Sequence, residues 1–137
     1  MTLDQVCRNG EALRGLAKGN VSLHDWEVER MCLQAFGSSG VTLELWLLPP
    51  GIVARTHRDV IQICFESVEI EDWGTFLHQN VLFDVTVARI RTGNATSRYR
   101  ARLLSSMGWY ATFTFVSARC SLERLDSIEG IEWREGL

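Results

Sequence analysis

The stretch Met31-Cys32-Leu33-Gln34-Ala35-Phe36-Gly37-Ser38-Ser39-Gly40-Val41-Thr42-Leu43-Glu44-Leu45-Trp46-Leu47-Leu48 reads as a β-hairpin. Apolar residues recur at every second position on both sides of a Gly-Ser-Ser-Gly connection, which is the period of a half-buried strand and not of a helix. Val41, Leu43, Leu45 and Leu47 form one row, and Thr42, Glu44, Trp46 and Leu48 form its reverse. Upstream, Trp26 and Val28 alternate in the same way, but the step from Val28 to Met31 breaks the alternation by one residue. A bulge near Glu29 would repair it. Pro49-Pro50-Gly51 ends the hairpin, because two prolines cannot donate to a sheet ladder.

The same period continues outward. Ile61, Ile63 and Phe65 alternate with Gln62, Cys64 and Glu66, and Val68 and Ile70 follow after a change of phase. Val81, Phe83, Val85 and Val87 are expected on one row, opposite Leu82, Asp84, Thr86 and Ala88. The segment between, Trp73 to Asn80, is too irregular for a strand and is read as a loop of the kind that often carries function. A turn at Thr92-Gly93-Asn94 leads into Tyr99, Ala101 and Leu103 alternating with Arg98, Arg100 and Arg102. After Ser105-Ser106-Met107-Gly108, Trp109, Ala111, Phe113 and Phe115 oppose Tyr110, Thr112, Thr114 and Val116, a β-branched and aromatic run. From Leu122 the apolar spacing becomes three, which predicts a strand with an irregular continuation.

Residues 2–18 carry a different period. Leu3, Val6, Leu13, Leu16 and Ala17 recur at helical spacing, Thr2 and Gln5 can form a capping box, and Gly19-Asn20 is the natural stop. Gly10 weakens the middle of this helix by about 1 kcal/mol relative to Ala, so it is expected to rely on packing against a sheet. The fold class that follows is α+β: mainly an antiparallel β-sheet or sandwich with an N-terminal helix. At 137 residues the chain is expected to be a single domain, 1–137, with the helix over 1–20 and the β domain over 21–137.

Composition narrows the function. The net charge of −3 and pI near 5.6 remove the general attraction that non-specific nucleic-acid binding relies on, so no nucleic-acid partner is expected. No apolar run approaches the roughly 20 residues that cross a bilayer, and the N-terminus lacks the basic start and apolar core of a signal peptide. A cytoplasmic location without membrane contact is the expectation. Cys7, Cys32, Cys64 and Cys120 share no Cys-x-x-Cys spacing and read as buried reduced thiols.

Motifs with a mechanism are missing from the sequence. There is no Gly-x-Ser-x-Gly elbow, phosphate loop or dinucleotide fingerprint, and His24, His57 and His78 have no metal-ligand spacing. His24 and Asp25 are adjacent, and adjacent strand residues point to opposite faces, so they read as ties for the preceding loop. Glu69, Glu71 and Asp72 read as a solvated strand end and turn. No catalytic residue, metal or cofactor is expected, and the chain is read as a non-enzyme.

The arginines carry the functional expectation. Lys18 is the single lysine among 14 basic residues, and arginine is the side chain that contacts carboxylate or phosphate through two parallel hydrogen bonds. Arg89, Arg91, Arg98, Arg100 and Arg102 lie on one hairpin, while Glu123, Asp126, Glu129, Glu132 and Glu135 recur at intervals of three near the C-terminus. These arginines, with Trp73, His78 and Gln79 from the irregular segment, are the expected partner-binding residues, since Trp, Tyr and Arg anchor protein interfaces. The alternative is a small ligand- or anion-binding domain using Arg89, Arg100 and Arg102. Self-association into a dimer through a strand edge stays open.

Three segments carry a family resemblance: Leu23-His24-Asp25-Trp26-Glu27-Val28; Val60 to Val68 with Phe76 to Val85; and Gly108-Trp109-Tyr110-Ala111-Thr112-Phe113. Together they span roughly residues 23–122, and in order and texture they resemble the immunity protein 50 family of small bacterial proteins. That resemblance implies a non-catalytic protein that binds and neutralises a cognate protein toxin, with no active site to transfer. The N-terminal helix and Arg98 to Arg102 depart from the family's simplest pattern.

Overall fold

The computed structural model describes residues 1–18, 22–35, 40–50, 58–75, 81–91, 97–106 and 108–125. Its elements are α1 (Leu3–Val6), β1 (Cys7–Arg8), α2 (Gly10–Ala17), β2 (Glu27–Ala35), β3 (Val41–Leu48), β4 (Arg58–Glu66), β5 (Glu69–Trp73), β6 (Leu82–Arg91), β7 (Ser97–Ser105), β8 (Tyr110–Phe115) and β9 (Ser117–Leu125). The strands form two sheets, β1-β9-β4-β3-β2 and β5-β8-β7-β6. Every pairing is antiparallel except β1 with β9. The chain is therefore an α+β fold of mostly antiparallel sheets with a short N-terminal helical element.

The alternating rows place the core. Leu43, Leu45 and Leu47 stand opposite Phe65, Ile63 and Ile61, and the latter pair with Ala118, Cys120 and Leu122 of β9. Phe65 meets Phe113 and Phe115 of the second sheet edge to face, with centroids 4.9 and 4.8 Å apart. The sheets thus pack through their apolar rows, and aromatic edge-to-face contacts add to the area they remove from water. Leu3 and Leu13 join the same cluster from the helices.

Bulges set the phase. The expected slip near Glu29 is present, between Val28 and Arg30. A second, between Leu82 and Asp84, corrects the row predicted for β6: Leu82 is buried and Phe83 is turned to solvent. The inserted residue reverses the side-chain faces upstream of it, and strict alternation cannot anticipate that. A third, between Ile70 and Asp72, lies in β5, so Glu69, Glu71 and Asp72 form an edge strand where a strand end and turn were expected, and Trp73 closes that strand. Leu122 shares a row with Ile61 yet is exposed.

The N-terminal segment also departs from one continuous helix over residues 2–18. Thr2 and Gln5 form the expected capping box, with the Thr2 N–H donating to Gln5 Oε1 at 2.9 Å. The chain then leaves the helix at Cys7 to add a two-residue strand beside Ala118 and Arg119, and turns at Asn9 with φ 61° before α2 begins. Gly10 explains how the two short helices approach: a Cβ there would lie 2.0 Å from the Asp4 carbonyl oxygen. The Gly37-Ser38-Ser39 turn, Thr92-Gly93-Asn94, Met107, His57 and the C-terminal stretch beyond Leu125 lie outside the described residues.

Candidate protein-interaction face

The register of the second sheet distributes the arginines. Arg98, Arg100 and Arg102 lie on its outer row, with Arg102 between Thr86 and Thr112 and Arg100 between Ala88 and Thr114. Arg89 stands opposite Tyr99, on the row that faces the other sheet, and Arg91 shares its parity on β6. The five arginines of the hairpin are therefore divided between two faces, as a period of two requires.

Their partners differ as well. Arg98 donates to Thr114 Oγ1 at 3.0 and 3.2 Å and to the Ser67 carbonyl at 2.6 Å, and it covers Thr114, which is buried. Arg100 makes a two-bond contact with Glu71, at 2.6 and 2.9 Å. Each strengthens the other's charged state: the guanidinium hydrogen bond draws the Glu71 carboxyl below its ordinary range, and Glu71 raises Arg100. Arg89 lies over the Tyr99 ring at 5.5 Å and donates to its hydroxyl at 3.2 Å, while Tyr99 stacks on Phe115. Arg102 and Arg91 are exposed, and the Arg102 charge acts on Glu71 along with that of Arg100.

Three exposed apolar side chains gather at one end of this sheet. Phe83 is 60% exposed in the β6 bulge, Leu104 is 36% exposed opposite Asp84, and Tyr110 is 37% exposed opposite Leu104. The Phe83 ring lies 5.6 Å from that of His24. Tyr110 is held in place: its ring lies over Gly74, where a Cβ would come within 2.9 Å of two ring carbons, and the Gly74 N–H donates to the Tyr110 carbonyl at 2.8 Å. Arg102 precedes Leu104 by two residues on the same outer row. A fixed aromatic, two further apolar groups and an exposed guanidinium therefore lie at one end of the outer row; aromatic and arginine side chains are the residue types enriched at interface anchors.

The other expected residues fall elsewhere. Trp73 is half-buried, with its ring packed edge to face on Trp109 at 5.9 Å. His78 and Gln79 lie outside the described residues. Phe83 and Leu104 were missed, Phe83 because the bulge that exposes it has no sequence signature and Leu104 because a lone leucine beside a turn reads as core. The first sheet's outer face is occupied by its own contacts: Gln62 donates to Glu44 at 2.9 Å, Arg30 lies 5.2 Å from the Trp46 ring centroid, and Arg8 pairs with Glu66 at 2.7 Å.

His24 and Asp25 do touch, Nδ1 to Oδ1 at 3.2 Å, contrary to the expectation of opposite faces. They lie in a turn where Leu23 and Asp25 both have positive φ, so the strand rule does not apply to them. Cys32 is no neighbour of theirs, lying about 16 Å along β2 from Glu27. Among the described residues no group of three or more His, Cys, Asp and Glu side chains is placed to hold a metal ion, and no helix is long and apolar enough to cross a membrane.

No family model, curated protein or solved structure matches this chain. The immunity-protein, toxin–antitoxin and bacterial assignments drawn from the texture of residues 23–122 are corrected accordingly: no match of any kind stands behind them, and order and texture alone recur among unrelated β-sheet sequences.

Proposed function

We propose that this chain is a non-catalytic protein-binding module that meets its partner through the outer face of β6, β7 and β8. The observation that carries this reading is the clustering of Phe83, Leu104 and Tyr110 beside Arg102. Leaving three large apolar groups in water costs free energy that a buried contact would recover, at about 25 cal/mol per Å². Arg102 would meet a carboxylate on the partner, which supplies orientation more than affinity. The anion-binding alternative is less well supported, because Arg89 lies on the opposite face from Arg100 and Arg102, and Arg100 is already committed to Glu71.

The test compares wild type with Phe83→Ser, Tyr110→Ser and Arg102→Glu in capture from lysate of the source cells. Leu33→Ser serves as the control, since Leu33 is also a large exposed apolar side chain, on the edge strand β2. A protein retained by wild type and Leu33→Ser, and lost by all three variants without change in their circular dichroism, is the expected result. Retention of the same protein by Phe83→Ser and Tyr110→Ser would place the interface elsewhere and overturn the reading.

A further inference from the structure

Two of the four cysteines are brought together by the smallest strand of the fold. The parallel register sets Cys7 opposite Ala118 and Arg8 opposite Arg119, so Cys120 is the diagonal neighbour of Cys7. The Asn9 side chain fixes this placement by donating from Nδ2 to the Cys120 carbonyl at 3.0 Å, and the left-handed conformation of Asn9 turns the chain there. Cys7, Ala118 and Cys120 all face the core, and the small Ala118 side chain leaves Cys7 free to lean toward Cys120.

We propose that Cys7 and Cys120 are a thiol-oxidation site, closing to a disulfide under a peroxide and so fastening the N-terminal helical hairpin to β9. Interaction between the two thiols, together with burial, pushes Cys7 up, and the same interaction draws Cys120 down, against its own burial. The thiolate is the nucleophile, and in the order with Cys120 first the attack comes from its sulfur. It attacks one peroxide oxygen, the O–O bond breaks, and the departing hydroxide takes a proton to become water. The Cys7 sulfur then displaces hydroxide from the Cys120 sulfenic acid, its own proton completing a second water. Two thiols and one peroxide give one disulfide and two waters.

Diagonal Cα atoms on paired strands lie about 7–8 Å apart, just beyond the roughly 6.8 Å limit of disulfides. Closing the bond therefore draws β1 along β9 by about 1 Å. A two-residue strand at the sheet edge is the element most able to make that shift. Cys32 and Cys64 provide a built-in control: each stands opposite Glu44, from either side of β3. Two strand spacings, about 9.6 Å, separate them, and they cannot link.

The full chain would be treated with hydrogen peroxide while folded, then unfolded, alkylated and mapped by mass spectrometry without reduction. The expected product has lost about 2 Da, regains it on reduction and carries a peptide pair joining Cys7 to Cys120 as its predominant pairing. Treated in urea, the chain should lose this preference. Cys32 and Cys64 should remain alkylatable, or appear only as acids, in the folded sample. Recovery of both Cys7 and Cys120 as alkylated thiols after Cys32 has been oxidised would overturn the proposal. So would a mixture of pairings no different from that formed in urea. Cys7→Ala, checked for folding by circular dichroism, should leave Cys120 unlinked.

Discussion

Gly10→Ala sets two known effects against each other. On helix propensity alone the change stabilises, since Ala is favoured over Gly by about 1 kcal/mol within a helix. The structure predicts the reverse. A Cβ at residue 10 would lie 2.0 Å from the Asp4 carbonyl oxygen, 2.9 Å from its carbon and 3.1 Å from the Asp4 Cα. All three are backbone atoms, so no rotamer change relieves the overlap, and reaching ordinary contact near 3.4 Å requires α2 to retreat by 1.4 Å, from 3.4 − 2.0. A radial gap of even 0.5–1 Å forfeits a quarter to a half of the dispersion energy between packed groups. Leu3 and Leu13 are both fully buried at this junction, and the 3.0 Å pair between Arg14 and Asp4 spans it. Overpacking of this kind costs about 1–3 kcal/mol, which leaves a net loss of about 1 kcal/mol after the propensity gain. Urea denaturation reads this directly: with a slope near 2 kcal/mol per M, the midpoint should fall by about 0.5 M at unchanged slope. A midpoint that holds or rises would refute the close approach of the helices and with it the account of why the N-terminal segment is broken at residues 7–9.

Phe65→Ala removes the ring that meets both Phe113 and Phe115 and should cost about 3–5 kcal/mol by the same assay. Acid unfolding should carry a contribution from Asp4. Burial would raise its carboxyl, but hydrogen bonds from Thr2 and Arg14 and the Arg14 charge prevail and hold it below the ordinary range. A folded-state value below the unfolded one contributes stability above the unfolded pKa of about 4 and loses it as the pH falls through the folded value, so Asp4→Asn should flatten the stability curve below pH 4 and leave its shape above unchanged. The exposed Arg100–Glu71 pair should show the opposite economy: Glu71→Gln should shift the midpoint little, and any coupling found in a double-mutant cycle with Arg100→Gln should fade in high salt.

Much of the fold was legible because period two survives in Val41–Leu48, Ile61–Phe65 and Trp109–Phe115, where one face is fully buried and a slip would turn every apolar group to water. The bulge near Glu29 was legible for the same reason, since two clean runs flank it. What escaped had no local signature. The bulge before Asp84 lies at the start of a run whose two rows are nearly equally apolar, so nothing in Val81-Leu82-Phe83 marks which residue is turned out. The break in the N-terminal helix is imposed by a partner 111 residues away, the Cys120 carbonyl that Asn9 binds. Of the candidate site, the arginine row was visible and the pairing of its members was not, because Ser67, Glu71 and Thr114 approach from other parts of the chain.

That pairing matters for how a docking surface can be built on a sheet. A row of three guanidiniums at about 6.6 Å spacing would repel itself and resist desolvation if all were unpaired. Here Arg98 is spent on Thr114 and the Ser67 carbonyl, and Arg100 on Glu71, which brings an acidic edge strand against the basic row. Of the three, Arg102 alone makes no hydrogen bond shown among the described residues, although its charge acts on Glu71, and it is the one nearest Leu104 and Tyr110. On the proposed reading the two satisfied arginines would form a polar rim, while the apolar end would supply the area to be buried. The thiol pair lies on the other sheet, joined to this face through the shared core and through Val116, where β8 runs on into β9, and Tyr110 is at the far end of β8 from that link. Closing the disulfide should then leave the environment of Tyr110 unchanged, and a shift in its fluorescence or proton resonances on oxidation would show that the two sheets transmit what happens at β1.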